Sequence, residues 1–220
     1  MDHNNGVPDS GMQIKSKKRV ADHGEVFTNP REVNAMLDLV KPETERLDSR
    51  FLEPACGTGN FLIEILRRKL SVCEQRVRSK QYTQLQYEQN VVLAVSSIYG
   101  IELLEDNAQA CRSRLWLYFK DQYLRLFGHS VKQECIDSVE FLLSKNIIQG
   151  DALTYHRTDR PDEWIVVSEW SMIGQGMVNR RDYEFSYLVG DSTEPDLFSA
   201  VPCATYAPVY FLNLREEAYA

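Results

Sequence analysis

Three short segments hold residue types able to grip a polar, ring-bearing ligand. The first, EPACGTGNF at residues 53–61, places Gly57 and Gly59 in a strand-to-helix turn. Glycines there let a ligand approach the backbone where a side chain would clash. The helix that follows offers its first amides to polar ligand atoms. A lone Gly-x-Gly fits an empty tight turn equally well; the acid, proline and small residues before it narrow the reading. The second segment is YGIELLED, with Glu102 closing a strand. An acid in that place can accept hydrogen bonds from both hydroxyls of a ribose. Taken alone, it also fits a solvated carboxylate at a helix start. The third is Gly150-Asp151-Ala152. Asp151 there can accept from an adenine amino group, or occupy an ordinary turn. Three such segments in this order, each after a strand, favour the ligand reading.

The elements that must position these residues alternate in type. Asn29 and Pro30 open a short helix, with Glu32 in a capping-box-like position. Val33, Met36, Leu37 and Val40 fall on one face of it, and Pro42 ends it. Residues 50–55 read as a buried strand, and Phe61, Leu62, Ile65 and Leu66 begin a helix. In dinucleotide folds the ribose acid follows the glycine loop by about 20 residues. Glu102 lies 49 positions after Glu53, so residues 72–90, rich in Gln, Arg, Glu and Tyr, read as an inserted, partly helical excursion. Residues 98–102 form a second strand. A long helix carrying Leu104, Ala108, Cys111, Leu115 and Phe119 comes next, then a helix over 131–144. Third and fourth strands are expected at 146–149 and 164–167. This alternation predicts an α/β fold, a doubly wound, mainly parallel sheet with its strand C-termini on one edge. The runs YEFSYLV and PVYFLNL suggest a hairpin finishing the sheet. The domain reading is an N-terminal arm over 1–24, a cofactor-binding domain over 25–182, and strands or an appendage over 183–220.

Composition bounds the function. With 220 residues, the chain can bury roughly 70% of its unfolded surface and needs no metal or disulfide to fold. A formal net charge of −7 argues against a stand-alone binder of nucleic-acid backbones. The five cysteines, an odd number without a CxxC, read as reduced thiols of a cytoplasmic protein rather than a zinc site or a disulfide framework. The four histidines form no HxxxH, so no metal is expected. The N-terminal segment lacks the apolar core of a signal peptide, and no apolar run is long enough to span a bilayer.

GEVFTNP (24–30), FLEPACGTGNFL (51–62), IYGIELLEDNAQACRSRL (98–115) and IIQGDAL (147–153) together resemble successive motifs of adenine-specific DNA methyltransferases. The likeness is to restriction-modification methylase subunits, in which the first of these motifs precedes the glycine loop. It covers roughly residues 24–170. It implies a fold of the S-adenosylmethionine-dependent methyltransferase type and S-adenosyl-L-methionine as cofactor. Phe27 and Thr28 would hold the methionine end. Glu53, Ala55, Gly57 and Gly59 would shape the cofactor loop, with Phe61 beside it. Glu102 would take the ribose hydroxyls, Leu103 would pack on the adenine, and Asp151 with Ala152 would line its edge.

The family's catalytic Asn/Asp-Pro-Pro-aromatic motif, expected after the fourth strand, is absent from the 220 residues. Ser168, Glu169 and Trp170 stand in its place. Serine can accept from an amino group, and a tryptophan can stack on a flipped base. The same triplet also fits a structural edge with a half-buried tryptophan. The stretch after the fourth strand is short for a target-recognition domain. DNA specificity is therefore expected from a partner subunit. Basic groups at 15–19, 67–69 and 180–181 are candidate phosphate contacts, with the 15–19 arm foremost. Two functions stay open: an active adenine-specific DNA methyltransferase, or a silent cofactor-binding subunit that needs a partner chain. A methyltransferase acting on RNA or a small molecule is disfavoured by the placement of GEVFTNP.

Overall fold

In the computed structural model, residues 16, 18, 19, 21, 28–189 and 201–216 are described. Most of the expected 1–24 arm, together with Phe27, lies outside them. Helix α1 spans Pro30–Asp38, and the Asn29 side chain caps it by accepting from the Arg31 amide at 2.9 Å. Only Val33 and Leu37 are buried; Met36 and Val40 face outward. Pro42 does not end this helix. It sits in the first turn of a second one, α2 (Lys41–Glu45), where its missing N–H costs nothing.

Strand β1 (Phe51–Glu53) leads through the glycine loop into α3 (Asn60–Arg78). Helix α4 (Gln84–Ser96) follows, opened by a Thr83/Gln86 capping box. Residues 72–90 are thus no excursion. They form the end of α3 and the start of α4, and Tyr87 and Cys73 are fully buried between helices. Strand β2 (Ile98–Glu102), α5 (Glu105–Phe127), α6 (Gln133–Asn146) and β3 (Ile147–Gln149) follow the expected order closely. On α5, Ala108, Cys111, Leu115 and Phe119 are wholly buried, at the helical spacing that marks one inward face.

The three strands form a parallel sheet in the order β1-β2-β3. All five residues of β2 are buried, as a central parallel strand requires. Gly100 faces the helices: a Cβ there would lie 2.9 Å from both Cys56 Sγ and Leu62 Cδ1. Tyr99 and Ile101 face the other way. Tyr99 donates to the Ser168 carbonyl at 2.9 Å, and Ile101 packs with Ile148, Ile165 and Phe185.

On that second face the fold departs from a doubly wound sheet. The fourth strand, β4 (Val166–Met172), does not join the parallel sheet. It pairs antiparallel with β5 (Met177–Glu184) in a separate sheet completed by β6 (Ala204–Thr205) and β7 (Val209–Tyr210). The reason is local. The intervening Gly174, Gln175 and Gly176 all have positive φ (97°, 50° and 75°) and turn the chain back at once. Closing so short a loop costs far less entropy than a crossover to a distant strand. Of the expected terminal hairpin, PVYFLNL supplies β7, which pairs with β5. YEFSYLV mostly forms a helix, α7 (Phe185–Val189). The 182/183 boundary falls inside β5.

Lys69 ties α3 to the segments that lead into β1 and β2. It is fully buried on α3, donates to the carbonyls of Leu47 (3.0 Å) and Ser49 (2.6 Å) and to Ser97 Oγ, and lies over the Phe51 ring. Three donors meet three acceptors, so the ammonium is satisfied. Burial still lowers its pKa to about 8. The folded chain then binds fewer protons than the unfolded one between about 8 and the ordinary 10.5. Stability from this group rises with pH across that window. In denaturant titrations, the unfolding free energy of the wild type should climb relative to Lys69→Met between these pH values. Parallel curves would contradict this.

Candidate functional site

The C-terminal ends of β1, β2 and β3 converge on one edge, and the Glu102 carboxylate sits at its centre, 7% exposed. Oε2 accepts from the Gly57 amide at 2.8 Å. Oε1 accepts from the Leu104 amide at 3.0 Å and from Asn107 Nδ2 at 3.3 Å. One carboxylate therefore joins the glycine loop to the start of α5. A carboxylate has about four lone-pair sites. Three are used, and the Asn107 contact is the longest.

The loop is shaped by close packing as much as by hydrogen bonds. The Cys56 amide donates to the Ile101 carbonyl at 3.0 Å, and the Gly59 amide to the Cys56 carbonyl at 2.8 Å. Gly57 (φ 53°) and Gly59 (φ 82°) are both left-handed. A Cβ on Gly59 would stand 2.5 Å from Cys111 Sγ. The Cys111 thiol beside it, and then burial, push the Cys56 thiol upward. The Cys56 thiol thus stays protonated, and the two sulfurs fill the space behind the loop. The sequence gives Cys111 only a place on the apolar face of its helix and Cys56 none; the glycine inside strand YGIE is the available signal of close approach.

Glu53 closes β1, half-buried. Burial raises its pKa, and no cation pairs with it among the described residues. A partly dehydrated acid with no counter-ion suits a ligand ammonium. Ala55 is exposed, and Phe61 is partly buried against the main core. The Thr28 carbonyl accepts from Asn60 Nδ2 at 3.0 Å, which brings the N-terminal motif to the loop.

Leu103 is 41% exposed at the same edge. Thr158 Oγ1 donates to its carbonyl at 3.1 Å, drawing the loop after β3 alongside. In that loop Asp151 Oδ1 accepts from the Leu153 amide at 2.9 Å, an Asx-type turn. Asp151, Thr154, His156, Arg157, Thr158 and Pro161 line a hollow of about 410 Å³. Ala152 packs on the small Ile101–Ile148 cluster. Another hollow, about 430 Å³ and lined in part by Glu43, Arg46 and Arg50, lies at the start of β1, away from the loop.

The structure does not bring the substitute catalytic triplet to this edge as open groups. Ser168 is 2% exposed; its hydroxyl donates to Asp182 Oδ1 at 2.8 Å and accepts from Arg180 Nε at 3.1 Å. Trp170 is 8% exposed, donates to Asn146 Oδ1 at 2.9 Å and meets Phe141 edge-on. Glu169 pairs with Arg50 at 2.8 Å. Catalytic use of Ser168 or Trp170 would require these bonds to break. Some of the candidate basic groups are similarly engaged, while Lys18 and Arg181 are exposed. Lys69 and Arg180 are buried, and Arg19 forms a bidentate pair with Asp106, at 2.8 and 3.0 Å. Among the described residues, no group of three His, Cys, Asp or Glu could hold a metal ion, and no helix is long and apolar enough to cross a membrane.

Residues 28–160 match the family model described as the MmeI DNA-methyltransferase domain. That span covers more than half of the chain. The chain belongs to this family of DNA-methyltransferase domains. No curated relative and no solved structure matches it. The matched span runs from Thr28 past Ala152 and ends before β4. It therefore includes the glycine loop, Glu102 and Asp151, and excludes Ser168, Glu169 and Trp170.

Two outcomes follow from the loop geometry. Gly59→Ala should lower unfolding stability by about 2–5 kcal/mol, the sum of a left-handed Ala and an overpacked contact. Adding Cys111→Ala should restore the packing part but not the backbone part; a double variant no better than Gly59→Ala would contradict the contact. Glu53→Gln should raise the melting temperature of the unliganded chain at neutral pH. An acid with a raised folded pKa destabilises once pH climbs through the carboxylate range. The gain should therefore vanish in acid, and a gain that persisted there would have another cause.

Proposed function

We propose that this edge binds S-adenosyl-L-methionine and that the chain serves adenine-specific DNA methylation in restriction-modification. The observation that carries the reading is the 2.8 Å bond from the Gly57 amide to Glu102. An acid able to accept from a diol thus touches a glycine loop at the C-terminal edge of a parallel sheet, and in α/β folds that edge is where nucleotides bind, which supports the reading. The residues present fit the group. Glu102 would take the ribose, its remaining lone-pair site and the weak Asn107 contact leaving room. The exposed Leu103 would pack on the adenine, and Asp151 and Ala152 would line the ring edge. Glu53, an acid without a counter-ion, would face the ammonium, with Thr28, Ala55, Gly57, Gly59 and Phe61 around the methionine end; Phe27 is assigned there by resemblance alone.

The cofactor, when bound, supplies an electrophilic methyl group on a sulfonium. The chain's own part is to hold that group in line with an adenine amino nitrogen, and positioning of this kind supplies most of the acceleration. The target base must be flipped out of the duplex to reach it. With a net charge of −7, and with Arg19 and Arg180 already paired to Asp106 and Asp182, this chain would take its DNA contacts from a partner specificity subunit.

A second reading is a silent subunit that binds cofactor without transferring methyl. The engagement of Ser168 with Asp182 and of Trp170 with Asn146 favours it. Active use of Ser168, Glu169 and Trp170 is the competing proposal. Tritium transfer from labelled cofactor to unmethylated DNA separates the two. Incorporation by the isolated chain that Ser168→Ala and Trp170→Ala abolish would favour the triplet; no incorporation until a neighbouring gene product is added would favour the subunit.

Cofactor binding itself is checked by calorimetry. Glu102→Ala should weaken S-adenosylmethionine by roughly one to two powers of ten, because buried polar groups lose their partner. It should also lower the melting temperature, since it frees Gly57 and Leu104. Leu103→Ala should leave the melting temperature alone and weaken binding about fivefold, as half of a leucine's contact area is lost. Unchanged affinity in both variants would contradict the site.

A further inference from the structure

We propose that Arg114 and Asn60 form a positioning pair that sets Thr28 against the glycine loop and thereby controls how the aminoacyl end of the nucleoside ligand is held. The inference rests on the cofactor reading above. Arg114, on α5, brings Nη1 to 2.6 Å from Asn60 Oδ1 and 3.3 Å from the Thr58 carbonyl. A guanidinium only donates, so the Asn60 amide must turn its oxygen toward Arg114. Its nitrogen then points the other way and donates to the Thr28 carbonyl at 3.0 Å. One chain of hydrogen bonds thus links residue 114, the loop at 58–60 and the N-terminal motif at 28.

Thr28 has little room to drift once held. The next residue, Asn29, caps α1 with its side chain and accepts from the Val33 amide at 3.0 Å through its carbonyl. Helix α5 meets the loop twice, through the Cys111 thiol behind Gly59 and through Arg114 one turn later. Glu102 holds Gly57. The two anchors divide the loop: Glu102 serves the ribose side, and the Arg114–Asn60 pair serves the side that Glu53 and Thr28 face. Neither Arg114 nor Asn60 is expected to touch the ligand; they act through Thr28 and the loop backbone.

The test compares two ligands by calorimetry, S-adenosylmethionine and adenosine, which lacks the aminoacyl arm. Asn60→Asp keeps an acceptor for Arg114 and removes the donor to Thr28, with almost no change in volume. Arg114→Met removes the clamp, and Arg114→Lys keeps a donor. Asn60→Asp and Arg114→Met should each weaken S-adenosylmethionine about three- to tenfold, the worth of one hydrogen bond. Adenosine affinity should stay within about twofold, and Arg114→Lys should recover part of the loss. Equal losses for both ligands would mean general loosening of the loop and would overturn the proposal, as would unchanged affinity for S-adenosylmethionine. A wild-type chain that binds neither ligand would overturn the cofactor reading as well; wild-type binding with flat variants overturns the pair alone.

Discussion

The site depends on one buried carboxylate meeting two backbone amides. Glu102 ends the central strand, and its oxygens satisfy the amides of Gly57 and Leu104. Both amides lie at chain reversals, where no secondary-structure partner exists for them. Without the acid, the glycine loop and the first turn of α5 would each present unsatisfied donors at a nearly closed edge. The residue proposed to take the ribose is thus also the residue that satisfies the amides of its own neighbourhood. A ligand bound there would add to an arrangement that already exists.

Close approach supplies the second constraint. Gly100 lets Cys56 and Leu62 lie directly on the central strand, and Gly59 lets Cys111 lie directly behind the loop. Helices α3 and α5 are pressed onto the sheet at the points where the loop must be rigid. Lys69 does similar work at the other end of β1, binding two carbonyls and a hydroxyl in the core. The parallel half of the molecule is consequently stiff around the proposed cofactor. The antiparallel half spends its polar groups on itself: Arg180, Asp182, Ser168 and Tyr206 form one buried network. Among the described residues, this contrast leaves Ser168 and Trp170 of β4 bonded and buried, whereas Leu103 and Ala55 at the parallel edge are exposed.

Much of the first half was legible because it obeys local rules. Asn29-Pro30 carries a cap, residues 98–102 are a run of strand formers, and α5 repeats its apolar residues at helical spacing. The glycine loop and its acid could be paired from order alone. Residues 72–90 misled because their Gln, Arg and Glu content looks like an insertion, although Cys73, Tyr87 and even Glu88 are fully buried and Val72 and Val77 pack on the core. Met36 and Val40 misled in the opposite sense, apolar residues at the right spacing that stay 55% and 43% exposed. Arg114 and Asn60 carry no sequence signal, since an arginine on a helix and an asparagine after a glycine are ordinary.

By itself, then, the sequence determined the strand–helix alternation, the three parallel strands and the family, because periodicity, caps and ordered motifs are properties of neighbouring residues. Only the tertiary structure decided that Glu102 is shared between loop and helix, that Lys69 and Trp170 are buried, and that β4 turns back into its own sheet. Those outcomes depend on which groups from distant segments find each other once water is excluded, and such competition between partners leaves no trace in a linear pattern.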